Sequence, residues 1–155
     1  MSDSIDVEER EPQKAVSMRF ECAAPAMRSN LEKILPLVAA YTKSRGGEID
    51  GPPYLRYHAM IDGQFFLEAG FPVTKGIPKN SLVDNTELPG GKVVITRHVG
   101  PYTELGSTHK KVRNWIRDSD FVPAGPAWDI YLDDPEKMDP EEVTTQIIYP
   151  VRPTD

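Results

Sequence analysis

Along "KAVSMRFECA" (14–23) apolar side chains fall at every second position, Val16, Met18, Phe20 and Cys22, with polar or charged residues between. Period two marks a strand with one buried face. The next stretch changes period. In "SNLEKILPLVAAYTKSRGG" Leu31, Ile34, Leu35, Val38 and Tyr41 recur at helical spacing, and the run stops at Gly46-Gly47, which predicts a helix over about 28–45. Pro36 sits inside that helix. A proline in a helix interior costs about 3 kcal/mol, so a break or kink is expected there. "YLRYHAM" and "QFFLEAGFPV" then read as two strands joined by a hairpin turn at "IDG".

The second half repeats this order. "GKVVITRHVG" (91–100) reads as a strand, and Leu105, Val112, Trp115 and Ile116 form one stripe of a helix over about 103–118, with Thr103 placed to cap it. "AWDIYLDD" is a strand, "PEKMDPEE" a polar connection, and "VTTQIIYPV" (143–151) the closing strand. Two echoes mark the repetition: "GPPYLRY" returns as "GPAWDIY" 74 residues later, and "FPV" as "YPV" 78 later. The difference between the offsets fits a longer hairpin in the second copy. The chain therefore reads as one domain, 14–153, behind an acidic tail, 1–13. Repeat one covers 14–73, a linker 74–91, and repeat two 92–151. The predicted class is α+β: tandem β-α-β-β units with pseudo-two-fold symmetry. They are expected to form one curved antiparallel sheet with two helices on one face and a ligand cleft on the other.

Composition narrows the functional classes. A hydrophobic content of 39% with 27% charged residues is that of a soluble globular chain. Net charge is −6, and five acids between Asp3 and Glu11 stand against Arg10 alone, which predicts a disordered, solubilising lead. No basic face and no helix-turn-helix are evident, so no direct nucleic-acid contact is expected. No apolar run of about 18 residues is present, and the N-terminus lacks the grammar of a secretion signal, so no membrane partner and a cytoplasmic location are expected. Cys22 is the single cysteine, and His58, His98 and His109 lack metal-ligand spacing. No metal and no cofactor are expected, and the histidines read as solvated or hydrogen-bonded structural groups.

Candidate chemistry centres on two acids. Asp129 lies between Trp128 and Tyr131, and the matching places in the first half hold Tyr54 and Tyr57. Its own counterpart is Leu55, so the carboxylate occurs in one copy only. Alternation puts Asp129 and Tyr131 on one face and Trp128 on the other, unless a bulge turns Trp128 inward. Cations over aromatic rings gain about 0.5–2 kcal/mol each, so these rings read either as a pocket or as sheet-to-helix packing. Glu68, among apolar neighbours in "FFLEAGFPV", has Gln146 as its counterpart. It reads either as a second pocket carboxylate or as an outward edge position. Tyr102, at a strand-to-helix junction, reads as a packing or a pocket-rim residue.

The stretch "TRHVGPYTELGSTHKKVRNWI…GPAWDIYLDDP…TTQIIYPV" resembles the GyrI-like small-molecule-binding domain, which also forms the effector-binding part of AraC- and MerR-type bacterial transcription regulators. The signals are His98-Val99-Gly100-Pro101-Tyr102, Gly125-Pro126, Tyr131, Asp134-Pro135 and Tyr149-Pro150-Val151, and the likeness runs over about 14–153. It implies a duplicated β-α-β-β fold with a ligand cleft. At the position of Asp129 the family usually carries a glutamate facing a cationic ligand, so the carboxylate here reaches less far. The implied function is a stand-alone protein that senses or sequesters a drug-like, aromatic or cationic molecule, as in multidrug recognition. Its partners are the small-molecule ligand and, in one setting, a separate regulator. The candidate ligand contacts are Tyr54, Tyr57, Glu68, Tyr102, Trp128, Asp129 and Tyr131. The alternative is a cofactor-independent hydrolase of cyclopropane-bearing natural products, with Asp129, Glu68 and Tyr131 as candidate catalytic groups. Inhibition of gyrase, a third family role, finds no apolar motif here. Misplacing a catalytic group by about 1 Å can cost on the order of 10²-fold in rate, so the shorter acid favours binding over turnover.

Overall fold

The computed structural model describes residues 4–79, 82–134 and 137–155. Met1–Asp3 of the acidic lead, residues 80–81 of the expected linker and Pro135 of the Asp134-Pro135 pair lie outside the described residues. The fold is of the α+β class that the sequence predicts, with antiparallel strand pairing and two α-helices. The chain divides into two compact units, one from Glu11 to Gly90 and the other holding Gly91–Asp155 together with strand β1, Ile5–Arg10.

The Glu11–Gly90 unit contains β2 (Gln13–Ala23), α1 (Met27–Ser44), β3 (Glu48–Ile49), β4 (Tyr54–Ile61), β5 (Gln64–Lys75) and β6 (Asp84–Leu88). Its strands run in the order β4-β5-β2-β6, with β3 on β5. Val16 of β2, Val38 of α1 and Val73 of β5 form a core with Ile77 and Val83, against which Ile34, Tyr41 and Phe71 pack. Periodicity accounts for the helix and strand positions of this core, while Ile77 and Val83 come from the expected linker. The expected break at Pro36 is absent: α1 runs through it to Ser44. Pro36 and Glu32 are exposed, so the carbonyl that loses its N–H partner faces water. The helix ends where Gly46 takes φ 84° and the Gly47 N–H reaches the Thr42 carbonyl at 2.9 Å, a glycine stop of the expected kind. Asp62 and Gly63, with φ of 51° and 79°, make the tight turn of the β4–β5 hairpin.

The other unit contains β1, β7 (Gly91–Val99), α2 (Leu105–Arg117), β8 (Phe121–Pro123), β9 (Trp128–Tyr131) and β10 (Thr144–Pro153). Its order is β1-β7-β10-β9, with β8 on β10. The acidic lead from Ile5 to Arg10 is therefore a strand, where its charge predicted disorder. It pairs with β7 from Ile5 opposite Thr96 to Arg10 opposite Gly91. The reason is backbone chemistry: the edge of β7 offers a row of N–H and C=O groups, and the acids point outward, Glu9 reaching Lys92 at 3.4 Å. The expected linker likewise contains β6, paired with β2. Thr103 does not cap α2. It lies in the short 3₁₀ turn Tyr102–Glu104, and no side chain caps the helix. Both units nonetheless show the predicted succession of strand, helix and hairpin, each with a short extra strand, β3 or β8, after the helix.

Candidate functional site

Phe71 and Val73 of β5 pack with α1, so strand alternation sends Glu68 and Gly70 to the opposite face. The pairing register sets Arg56 of β4 and Arg19 of β2 directly opposite Glu68, and Tyr54 and Ser17 opposite Gly70. Glu68 is only 1% exposed. Tyr54 donates its hydroxyl to Oε2 at 2.5 Å, and His58 Nε2 lies 2.8 Å from Oε1. The Arg56 guanidinium lies 3.7 Å from the same Oε1. Burial by itself would raise the carboxyl pKa. The hydrogen bonds from Tyr54 and His58, with the positive charge of Arg56, outweigh it and hold Glu68 below its ordinary value. Tyr54 moves the other way, pushed up by burial and by the Glu68 charge, so it keeps the proton that it donates. Ser17 adds a side-chain hydrogen bond to Tyr54. Gly70 sits between these two on the central strand, and a Cβ there would come within 1.9 Å of the Val16 carbonyl oxygen.

Glu68 is thus on an internal strand, not at an edge, and its carboxylate is hydrogen-bonded to Tyr54. The bulge at His58 completes the cluster. Unbroken pairing from the Asp62-Gly63 turn would put Tyr57 opposite Glu68. The register shift between Tyr57 and Ala59 puts Arg56 there, with Tyr54 and His58 on the diagonals. Tyr57 pairs with Leu67, on the side facing α1.

The second acid has different surroundings. Asp129 of β9 is opposite Ile147 of β10 and turns toward α2, where His109 Nε2 lies 2.8 Å from its Oδ1. His109 Nδ1 lies 2.7 Å from the Tyr149 hydroxyl. With Nε2–H donating to the carboxylate, Nδ1 accepts from Tyr149. Arg113 reaches the Tyr149 oxygen at 3.4 Å. Burial pushes the Tyr149 phenol up, with the Arg113 hydrogen bond and charge opposing. Asp129 is wholly buried, at 0% exposure. Tyr131 shares its side of the strand and meets Tyr102 edge to face, with ring centroids 5.3 Å apart. Tyr102 also donates to the Asp133 carbonyl at 3.3 Å. Trp128, also buried, turns to the opposite face, as plain alternation predicts.

The structure therefore brings together Tyr54 with Glu68 and Tyr102 with Tyr131, and it places Asp129 under α2. It adds groups that the sequence reading left in the background: His58, Arg56, Ser17, His109 and Tyr149. For His109 a signal exists, since it falls on the buried stripe of Leu105, Val112 and Ile116. His98 is a structural group, hydrogen-bonded to Thr108 at 2.8 Å and to the Pro101 carbonyl at 3.1 Å. Among the described residues no group of three or more His, Cys, Asp or Glu side chains could hold a metal ion. No described helix is long and apolar enough to cross a membrane.

The two units repeat one antiparallel α+β order, and each carries a buried carboxylate with a tyrosine and a histidine near it. The chain belongs to the GyrI-like small-molecule-binding domain family, whose model matches residues 3–152. No protein of curated function matches it in sequence. Its fold is similar to the C-terminal domain of EcmrR, with a TM-score of 0.88 and 20% identity over 99% of this chain and 100% of that one. Against EcmrR in a complex with DNA the TM-score is 0.86 at 19% identity, over 98% of this chain, which spans only 58% of that protein. SAV2435 bound to tetraphenylphosphonium matches with a TM-score of 0.65 and 15% identity, over 96% of this chain and 94% of that one. A hydrolase from Listeria innocua matches with a TM-score of 0.65 and 16% identity, over 96% of this chain and 91% of that one. At such identities these likenesses show the fold alone.

Proposed function

We propose that the chain is an effector-binding protein that senses or sequesters an aromatic, drug-like small molecule, cationic ones included. The observation that carries this reading is Glu68: a carboxylate 1% exposed, kept ionised on the sheet face away from α1 by groups arranged around it. A buried ion is expensive to desolvate, and removing one partner of such a cluster costs about 3–5 kcal/mol. A family of small-molecule binders gives that investment a purpose. Of the candidate contacts, Tyr54 and Glu68 lie on that face and are the ones proposed, whereas Tyr57 faces α1 and Asp129 lies under α2. The tetraphenylphosphonium seen with SAV2435 and the DNA seen with EcmrR support a role in drug-responsive bacterial transcription regulation. In that role the ligand is cytoplasmic and a regulator part supplies the DNA contact. The hydrolase alternative needs an acid that meets water. Asp129, wholly buried and hydrogen-bonded to His109, is poorly placed for it.

Calorimetric titration with tetraphenylphosphonium and with uncharged N-phenyl-1-naphthylamine tests the proposal. Saturable binding of at least one aromatic probe is expected, and no saturable binding of either would overturn it. Ring opening of a cyclopropane electrophile, followed well beyond one equivalent of protein, would favour the hydrolase instead.

A further inference from the structure

On the face away from α1, the strands β4, β5 and β2 align their side chains in short cross-strand rows. One row reads Arg56, Glu68, Arg19, and the next toward the β4–β5 turn brings Phe66 opposite Glu21 of β2. Glu68 stands at the centre with both oxygens engaged, one by Tyr54, the other by His58 and Arg56. A ligand reaching this face therefore finds the ionised carboxylate already paired by its neighbours. What it meets are the groups around it. The side chains of Arg56 and His58 keep 13% and 17% of their surface exposed. Phe66 is 37% exposed. Arg19 is exposed and forms no ion pair among the described residues.

We propose that this face holds an anion subsite: Arg19, with Arg56 and His58 beside it, takes the carboxylate, sulfonate or phosphate group of an aromatic ligand whose ring lies on Phe66. The inference rests on the small-molecule-binding reading above and names a charge feature of the ligand. A cationic group elsewhere on the ligand is compatible with it, which makes an amphoteric aromatic molecule the best fit. Guanidinium donors suit planar oxyanions, and charge-assisted hydrogen bonds are about twice as strong as neutral ones. Glu68 is then a positioning residue, since its hydrogen bonds fix His58 and its charge holds Arg56. Exposed Glu21, two residues from Arg19 on the same face, and exposed Asp84 of β6, opposite Ser17, are like charges that an incoming anion must tolerate.

Two fluorescent probes separate this subsite from general aromatic binding. 8-Anilinonaphthalene-1-sulfonate and N-phenyl-1-naphthylamine share a ring system and differ in the sulfonate. The sulfonate probe is expected to bind about ten-fold more tightly, the scale of one hydrogen bond to a charged group. Arg19→Gln should erase that advantage and leave the neutral probe unchanged, while Glu21→Gln should tighten the sulfonate probe alone. Both side chains are exposed, so both variants should fold. Equal affinity of the two probes for the native chain, or an Arg19→Gln variant that keeps the preference, overturns the anion subsite. In that case binding of the neutral probe still leaves the proposed function standing. If neither probe binds, the anion subsite falls, and the proposed function falls with it if tetraphenylphosphonium also fails to bind.

Discussion

Glu68 and Asp129 are carboxylates with almost no exposure, and different neighbours hold them: a tyrosine, a histidine and an arginine for Glu68, a histidine backed by a tyrosine for Asp129. The depressed pKa of Glu68 makes stability depend on pH in a fixed direction. A group whose pKa is lower in the folded chain contributes stability above its unfolded value and loses it as pH falls through the folded one. Glu68→Gln should therefore destabilise the protein by about 3–5 kcal/mol near neutral pH. The gap to the native chain should narrow in acid, where both carry a neutral side chain. Urea unfolding at both pH values measures it, and a gap of constant size would mean that Glu68 acts through packing and not through charge. Tyr149→Phe removes the donor to His109 Nδ1 and should cost about 1 kcal/mol in the same assay. At this scale the sequence named both acids and their aromatic neighbours. It did not reveal the histidines' roles, because His58 depends on a bulge, and an isolated histidine on a buried helical stripe does not announce its partner on another element.

Helices and hairpins were legible because each is set by local chemistry: the period of α1 and α2, the Gly46 stop, the Asp62-Gly63 turn. Pro36 shows the limit of propensity, since its exposed position lets water take over the lost hydrogen bond. Strand β1 was missed for the opposite reason. Charge predicted solvation, while an unpaired edge of β7 decided the outcome, and that edge exists only in the folded chain. Deleting residues 1–10 should accelerate amide exchange along β7 and leave β5 protected, and equal acceleration of both would assign β1 a global role. Gly70 poses a sharper test of close strand packing. A Cβ there would meet backbone, the Val16 carbonyl oxygen at 1.9 Å, which has little freedom to move. Gly70→Ala should destabilise by about 3 kcal/mol or prevent folding, and a variant of native stability would mean that β5 and β2 separate easily.

Over the whole molecule, two units share one order of elements, but their polar centres do not match. Leu55 stands where the other unit has Asp129, and Gln146 where this one has Glu68. One acid lies on the face away from α1 and the other beneath α2. The tandem order was readable from the "GPPYLRY" and "GPAWDIY" echo. The side of the sheet on which each acid works was not, because it follows from the tertiary placement of the helices. The central claim is that the Glu68 face binds a small molecule. Amide chemical-shift mapping during titration with N-phenyl-1-naphthylamine tests it most directly. Saturable shifts concentrated at Ser17–Glu21, Tyr54–His58 and Phe66–Gly70 are predicted. Saturable shifts confined to other elements, or none at all, would contradict it.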